Sequence, residues 1–419
     1  MELIKSNYKQ TEVGLIPDDW NLVGLGDIFS FYSTANYSKA QMSEDDEVGC
    51  IHYGLIHAIS NSHYNLKDGI KYYVKPEMAK YEYVLDGDVI MVDASEDLEG
   101  INKSVEVFGI GNKKFISGLH TYLLRDKESI LAERFKGILL NSKLVKDQML
   151  SLAVGMKVFG VSKTQLIKIK LPIPPTLTEQ KAIANALSDV DALISSLDKL
   201  IIKKKAIKQG AIQELLTPPH KGGKRLPGFS GDWEEKKLGD IGDVQMCKRI
   251  FSYQTTKRGD VPFFKIGTFG KEPDAFISWE LYSDFRKKYP FPKKGFLLIS
   301  ASGTIGRTVE YNGEDAYYQD SNIIWIDNDG RLVTNEYLKY IFKVINYNTE
   351  GSTIKRLYNS IVKSAIFYCP PSLKEQNSIA RILSDMDAGI DGLEMKKAKY
   401  HSIKQGMMQE LLTGKTRLI

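Results

Sequence analysis

Chemistry in this chain would have to come from a few proline pairs, glycine turns and histidines, and each of these lacks the neighbours its reaction needs. Methylation of an extruded adenine takes an Asn or Asp directly before a Pro-Pro pair and a ring after it. The three Pro-Pro pairs follow Ile173, Thr217 and Cys369 and precede Thr176, His220 and Ser372, so none fits. The run Phe108-Gly109-Ile110-Gly111-Asn112 holds two glycines of a nucleotide loop without the third and without a clear helix after it, which reads as a turn. Gly222-Gly223-Lys224 lacks the leading glycine and the trailing Ser or Thr of a phosphate loop. His52, His57 and His63, with Asp45, Asp46 and Glu47 upstream, are too loosely spaced for a metal site, and no metal is expected. The chain is therefore read as having no catalytic site and no cofactor of its own.

With no chemistry in its side chains, what the chain can do rests on the elements that position them. At 419 residues the chain is too long for one ordinary core, and two or more domains are expected. A hydrophobic fraction of 42% with 26% charged residues describes a soluble globular protein. No stretch is long and apolar enough to span a membrane, and Met1–Lys5 shows no secretory core, so a cytoplasmic location is expected. Three distant cysteines (Cys50, Cys247, Cys369) read as reduced, structural thiols. The net charge of +5 is weak evidence for a polyanionic partner. Residues 17–173 carry 18 Lys+Arg against 21 Asp+Glu, a balance of −3, and residues 231–369 carry 20 against 18, a balance of +2. Contact with a polyanion must then come from local patches.

An internal repeat organises the rest. Residues 174–217 align with residues 370–413 without a gap at an offset of 196, with 24 of 44 positions identical. A shorter match opens each half: Asp19-Trp20 and Leu25-Gly26-Asp27-Ile28 recur at an offset of 213 as Asp232-Trp233 and Leu238-Gly239-Asp240-Ile241. The halves share their edges and differ between them. In the longer repeat, Ile183, Leu187, Val190, Ile194, Leu197 and Ile201 fall at steps of four and three, and Ile379, Leu383, Met386, Ile390 and Leu393 keep the same phase. That is the seam of a helix that packs on a helix. Thr176 and Ser372 each stand three residues before a Glu, a capping-box start, while Pro218-Pro219 and Gly414 supply the stops. Each helix would be about 55–60 Å long. The economical arrangement packs the two copies antiparallel on each other within one chain. Separate homodimeric coiled coils, or packing on the chain's own domains, are the alternatives.

These features predict an α+β chain with a pseudo-twofold internal repeat, two α/β domains being joined by two long antiparallel helices in an intramolecular coiled coil. The expected segments are a first domain over 1–175, a helix over 176–217, a linker over 218–230, a second domain over 231–371, a second helix over 372–413 and a tail over 414–419. Matching buried strands are expected near Asp88–Ser95 and Gly295–Ser302, with shorter helices near 127–152 and 333–346.

Two copies of Pro-Pro-x-Leu-x-Glu-Gln, at 174–180 and 370–376, each opening a long helix that ends in Gln-Glu-Leu-Leu-Thr, are similar to the specificity subunit of type I restriction–modification enzymes. The resemblance runs from about Ile16 to Thr413. It implies a non-catalytic, DNA-binding subunit whose two target-recognition domains read the halves of a split, asymmetric sequence in double-stranded DNA, with the helices fixing the gap. It also implies two methyltransferase subunits as partners, with S-adenosylmethionine, and restriction subunits with ATP and Mg2+. A fused methyltransferase–nuclease partner, or a coiled-coil scaffold that never touches DNA, are the rival readings.

Under that resemblance the contact candidates are basic and aromatic residues in domain loops. In the second domain they are Lys248, Arg249, Tyr253, Lys257 and Arg258 after the first strand, Gly303 and Arg307 in the turn Ser302–Arg307, Tyr317 and Gln319, and Lys355 and Arg356. Gln319 could pair bidentately with adenine, and Arg307 could hold a phosphate. In the first domain they are Tyr37, Lys39, Lys103, Lys113, Lys114 and Lys157; the turn matching Ser302–Arg307 is the acidic Ala94–Gly100, which departs from the glycine pattern. The three histidines read as structural or DNA-facing. The run Lys203, Lys204, Lys205 and Lys208 reads as a solvated helix face, with phosphate contact as the alternative. Replacing Leu187 and Leu383 together by Asp is expected to destroy the helix pair and abolish modification activity in the assembled enzyme. Retained methylation in a plasmid-protection assay would refute the seam.

Overall fold

The computed structural model describes residues 7–98, 100–155, 157–347 and 356–418. Contacts divide the chain into two compact units, residues 1–199 with 395–419, and residues 200–394. The long helices run Leu177–Leu216 and Leu373–Leu411, so each is shared between the units. Among the described residues no helix is long and apolar enough to cross a membrane.

In the first unit a five-stranded sheet has the order Phe29–Tyr32, Thr121–Asp126, Val89–Val92, Ser104–Phe108, His63–Asn65. A second sheet orders Lys114–Ser117, Val48–Ile51 and Tyr73–Val74, its first pair parallel. The second unit repeats this plan with unrelated residues. Val244–Gln245, Ile323–Ile326, Leu297–Ser300 and Thr308–Glu310 form one sheet. Tyr317–Tyr318, Val261–Phe264 and Phe276–Ile277 form the other, again with a parallel first pair.

The expected buried strands are central in both sheets, and their apolar runs are continuous because both faces are covered. Val89 and Met91 pack into one core while Ile90 and Val92 pack into another. Leu297 and Ile299 likewise turn one way and Leu298 the other. The expected shorter helices are observed as Phe135–Leu140 with Lys143–Leu152, and as Asn335–Val344. The shared edges of the halves meet in the fold: Asn21–Gly24 pairs with Lys170–Ile173, and Glu234–Lys237 with Ile366–Cys369. These ladders draw each Asp-Trp entry to the Pro-Pro exit, and Trp20 and Trp233 are buried there.

The helix seam divides its work. In the first unit Ile183 and Leu187 are fully buried in a core that also takes Leu411 and Leu412 from the end of the second helix. In the second unit Ile379 and Leu383 share a core with Ile212, Leu215 and Leu216 from the end of the first. Ile194, Leu197, Ile201 and Ile390 are buried beyond the cores, and Val190, Met386 and Leu393 are half-buried. Ion pairs fix the direction. Asp191 meets Lys404 at 2.6 Å and Asp198 meets Lys397 in the first unit; Lys208 meets Asp387, and Lys205 meets Glu394 at 2.6 Å, in the second. Residue numbers fall on one helix as they rise on the other, so the packing within each unit is antiparallel. Two lysines of the basic run are therefore paired with carboxylates.

The capping-box expectation holds only in half. Thr176 and Ser372 accept the Glu179 and Glu375 amides at 3.2 and 3.4 Å. The carboxylates do not turn back on the cap. Arg417 holds Glu179 at 2.7 Å and reaches Asp19 at 3.0 Å, and Arg225 holds Glu375 at 2.8 Å. The motif's glutamines read backbone: Gln180 accepts from the Ala132 amide and donates to the Pro174 carbonyl, and Gln376 does the same with Thr334 and Pro370. Gly414 ends the second helix in the left-handed region at φ 68, where a side chain would strike Pro17.

Asp191 and Lys404 are only 3% and 15% exposed, so losing one partner strands a buried charge. Asp191→Leu is expected to cost about 3–5 kcal/mol of stability. The double variant Asp191→Leu/Lys404→Leu should recover most of it in thermal unfolding. Additive losses would show that the pair is not coupled.

Candidate nucleic-acid interface

In the second unit several loops converge after the strand ends. The turn Ser302–Arg307 is held because the Ser300 hydroxyl accepts the Arg307 amide at 3.0 Å and Gly303 and Gly306 take φ of 66 and 77. The Ala301 amide donates to the Asn322 carbonyl and the Ser302 hydroxyl to the Asn322 side chain, both at 2.8 Å, which ties the turn to the loop Gln319–Asn322. Arg356 donates to the Ser321 carbonyl at 2.9 Å, and Arg307, exposed, donates to the Gly270 carbonyl at 3.2 Å. Arg249 meets Asp320 at 2.8 Å and is 60% exposed. Lys248 lies over the Tyr289 ring at 5.1 Å, and Tyr253, Lys257 and Arg258 are exposed in the next loop. The structure thus brings Lys248, Arg249, Gly303, Arg307, Gln319 and Arg356 to one loop cluster. Lys355 lies outside the described residues.

Two candidates do not fit the role expected of them. Tyr317 is fully buried and its hydroxyl donates to the Lys248 carbonyl at 3.1 Å, so it offers nothing to a base. Burial pushes its phenol far above the usual range. Gln319 is half-buried and its side-chain oxygen accepts the Ile266 amide at 2.9 Å, which removes one arm of a bidentate adenine contact. Both residues position loops.

The first unit holds the corresponding loops with other residues. Ala94 and Ser95 pair with Gly160 and Phe159, and a bridge between Val154 and Gly160 closes a hairpin whose tip carries exposed Lys157. Asp97 is used internally, accepting the Gly100 amide at 2.5 Å, while Glu96 is exposed. Lys103 donates to the His57 carbonyl at 3.0 Å, and half-buried Lys146 donates to the Ile101 carbonyl, its ammonium pushed down to about 8 by desolvation. Lys39 is exposed. Tyr37 is a structural residue, because its hydroxyl donates to the Met78 carbonyl at 2.8 Å and its ring packs on Tyr81. Lys113 and Lys114 are exposed at the start of the strand Lys114–Ser117, while its far end meets Ala35 beside the loops just described. They stand apart from the other candidates.

The histidines are local. His52 caps a short helix by accepting the Gly54 amide at 3.0 Å, and burial lowers the basicity of His52, His57 and His63. Among the described residues no group of three or more His, Cys, Asp or Glu could hold a metal. The three thiols are buried, with Cys50 pushed up to about 11.

Sequence reasoning missed His120. It takes φ 54, as Ser321 does in the matching loop, meets Asp93 at 3.3 Å and packs edge-on to Tyr53. Burial raises the Asp93 carboxyl, against the pull of His120. It also missed Phe251, half-exposed beside Tyr253; basic and aromatic interleaving from Lys248 to Arg258 was the available signal.

The family model for the type I restriction modification DNA specificity domain matches twice, over residues 17–206 and 230–403. A putative type I restriction enzyme specificity subunit of Haemophilus influenzae is 39% identical over 317 residues, 73% of this chain and 76% of that protein. The MjaVIII specificity subunit of Methanocaldococcus jannaschii is 26% identical, covering 99% of this chain and 97% of that one. Two solved structures share the fold. The S subunit of M. genitalium has a TM-score of 0.56 at 15% identity, covering 97% of this chain and 99% of that one. A chain from a type I restriction–modification assembly has a TM-score of 0.59 at 16% identity, covering 95% and 98%.

Arg249 and Arg307 are exposed cations on one loop cluster, so each should act as a phosphate contact. Replacing each by Ala in the assembled methyltransferase is expected to weaken DNA binding and to reduce the slope of log K against log salt by about 1 per contact. Unchanged affinity and slope across salt would remove that residue from the interface.

Proposed function

Because the chain belongs to the type I restriction–modification DNA specificity family, we propose that its two target-recognition domains read the unlike halves of one bipartite, asymmetric target in double-stranded DNA. The observation that carries this reading is that the two domains share a strand plan yet differ in nearly every loop residue at the strand ends. Two unlike half-sites need two unlike readers on one frame. Exposed Arg249, Arg307, Lys257 and Arg258 would anchor phosphates in one domain; exposed Lys39 and Lys157, with half-buried Lys103, would do so in the other. The Asn322 loop and the Glu96 turn stand where base edges would be met. The long helices would set the number of base pairs between half-sites.

On this reading the chain does no chemistry. Two methyltransferase subunits would bring S-adenosylmethionine and methylate adenine, and restriction subunits would bring ATP and Mg2+. The buried seam and the ion pairs hold the helices to each other within each unit, as such a subunit would need.

Co-expression with a cognate methyltransferase subunit, followed by methylation mapping of host DNA, tests the proposal. Adenine methylation at one split motif, absent when this chain is omitted, is the expected result. A stable complex that leaves no methylated motif would overturn the reading role, and failure to form any complex would overturn the subunit assignment to that partner.

A further inference from the structure

Two aromatic rings project from the second unit without cover. Phe251 is 50% exposed and Tyr253 82%, and they lie side by side with centroids 5.7 Å apart and planes within 7°. The turn that carries them, Ser252–Gln254, is closed when the Phe251 amide donates to the Gln254 side chain and the Gln254 amide donates to the Phe251 carbonyl, both at 2.9 Å.

The first unit builds the same turn. Lys39–Gln41 is closed by the Ser38 amide donating to the Gln41 side chain and the Gln41 amide donating to the Ser38 carbonyl, both at 3.0 Å. Ser38 and Phe251 are 213 apart, as are Ala40 and Tyr253, Gln41 and Gln254, and the Asp-Trp entries. Isolated bridges follow each turn, Ser43 to Tyr73 and Thr256 to Phe276. The frame is therefore common to both units, and the rings stand where the first unit has Ser38 and Ala40. They do no work for the turn.

What the rings face is set by their neighbours. Lys248 and Arg249 precede them in the chain, Lys257 and Arg258 follow, and all four are exposed. A flat apolar pair flanked along the chain by exposed cations suits a partner that alternates apolar planes with anions, which is a stack of bases between phosphates. We propose that Phe251 and Tyr253 form a wedge that enters a base step of duplex DNA in the half-site bound by the second domain. This inference rests on the DNA-reading role above. The wedge makes that half-site sensitive to how easily a step unstacks, with pyrimidine–purine steps favoured, while the half-site of the first domain carries no such constraint.

The test uses the assembled methyltransferase and duplexes carrying its mapped motif, with 2-aminopurine placed in turn at each position of both half-sites. The wild-type complex should raise fluorescence at a step in one half-site besides the adenines that are methylated. Phe251→Ala/Tyr253→Ala should abolish that signal and weaken binding by roughly 10–100-fold at an unchanged salt slope, while Tyr253→Phe keeps both. The rings support no core, so the melting temperature of the variant should match wild type. Equal fluorescence and affinity in the double variant would overturn the wedge and leave DNA reading intact. Lost affinity with no extra signal in wild type would place the rings on DNA outside the stack and also overturn it. Failure of the double variant to bind the methyltransferase subunit would assign the rings to a protein contact instead. A wild-type complex that binds no DNA would sink the DNA-reading role itself.

Discussion

The fold depends on two buried carboxylates meeting two arginines that are remote in the chain. Glu179 is 2% exposed and paired with Arg417; Glu375 has no exposure and is paired with Arg225. A buried carboxylate without its cation is among the costliest defects a core can carry. Each arginine follows the end of the opposite helix. Each buried glutamate is thus neutralised only when the other half's helix has run back to it. Arg417 adds Asp19, beside the buried Trp20, so entry strand, helix start and returning tail close on one guanidinium.

The same logic explains why the helical repeats are alike where they are. Asp191 pairs with Lys404 and Lys208 with Asp387, so each Ser-Asp-x-Asp segment meets the Ile-Lys-Gln-Gly segment of the other copy. A seam of Ile and Leu alone tolerates sliding by a heptad, because one apolar layer resembles the next. A buried charge that must land on one particular lysine does not. Identity is therefore expected at these two ion pairs as well as along the seam, and the other two pairs are not kept, Lys205 being matched by His401 and Lys397 by Ile201. Elsewhere the copies are free to drift: Lys204 faces solvent, and at the offset of 196 it is matched by Tyr400.

Periodicity is a local property, which is why the helices, their phase and the buried central strands were legible in the sequence. Partners are not local. The Glu of each capping box satisfies the spacing rule and yet goes to an arginine 238 or 150 residues away. Tyr317 and Gln319 carry groups suited to base edges, but a parallel strand pairing buries the one and commits the oxygen of the other to the Ile266 amide. Lys113 and Lys114 share the charge of the other candidates and sit at the opposite end of their strand from Ala35 and the loops beside it. His120 was invisible for the opposite reason: its loop resembles Gln319–Asn322 in backbone, at His120 and Ser321, and not in sequence.

These observations bear on how one frame carries two readers. The contacts that hold the loops are mostly backbone ladders and single side chains such as Gln41 and Gln254, which close matching turns by bonding main-chain amides. Such contacts leave most adjacent side chains free: Ser38 adds a hydroxyl bond to Gln41 at 3.1 Å, while Ala40 in one unit and Phe251 and Tyr253 in the other cost the turn nothing. The turns after the central strands show the same freedom. Ala94–Gly100 closes on Asp97 and Ser302–Arg307 closes on Ser300, and one is acidic where the other ends in an exposed arginine. Separating the groups that hold the backbone from the groups that face outward lets the reading surface change without loss of the core, and it accounts for two halves that match at their edges and diverge in between.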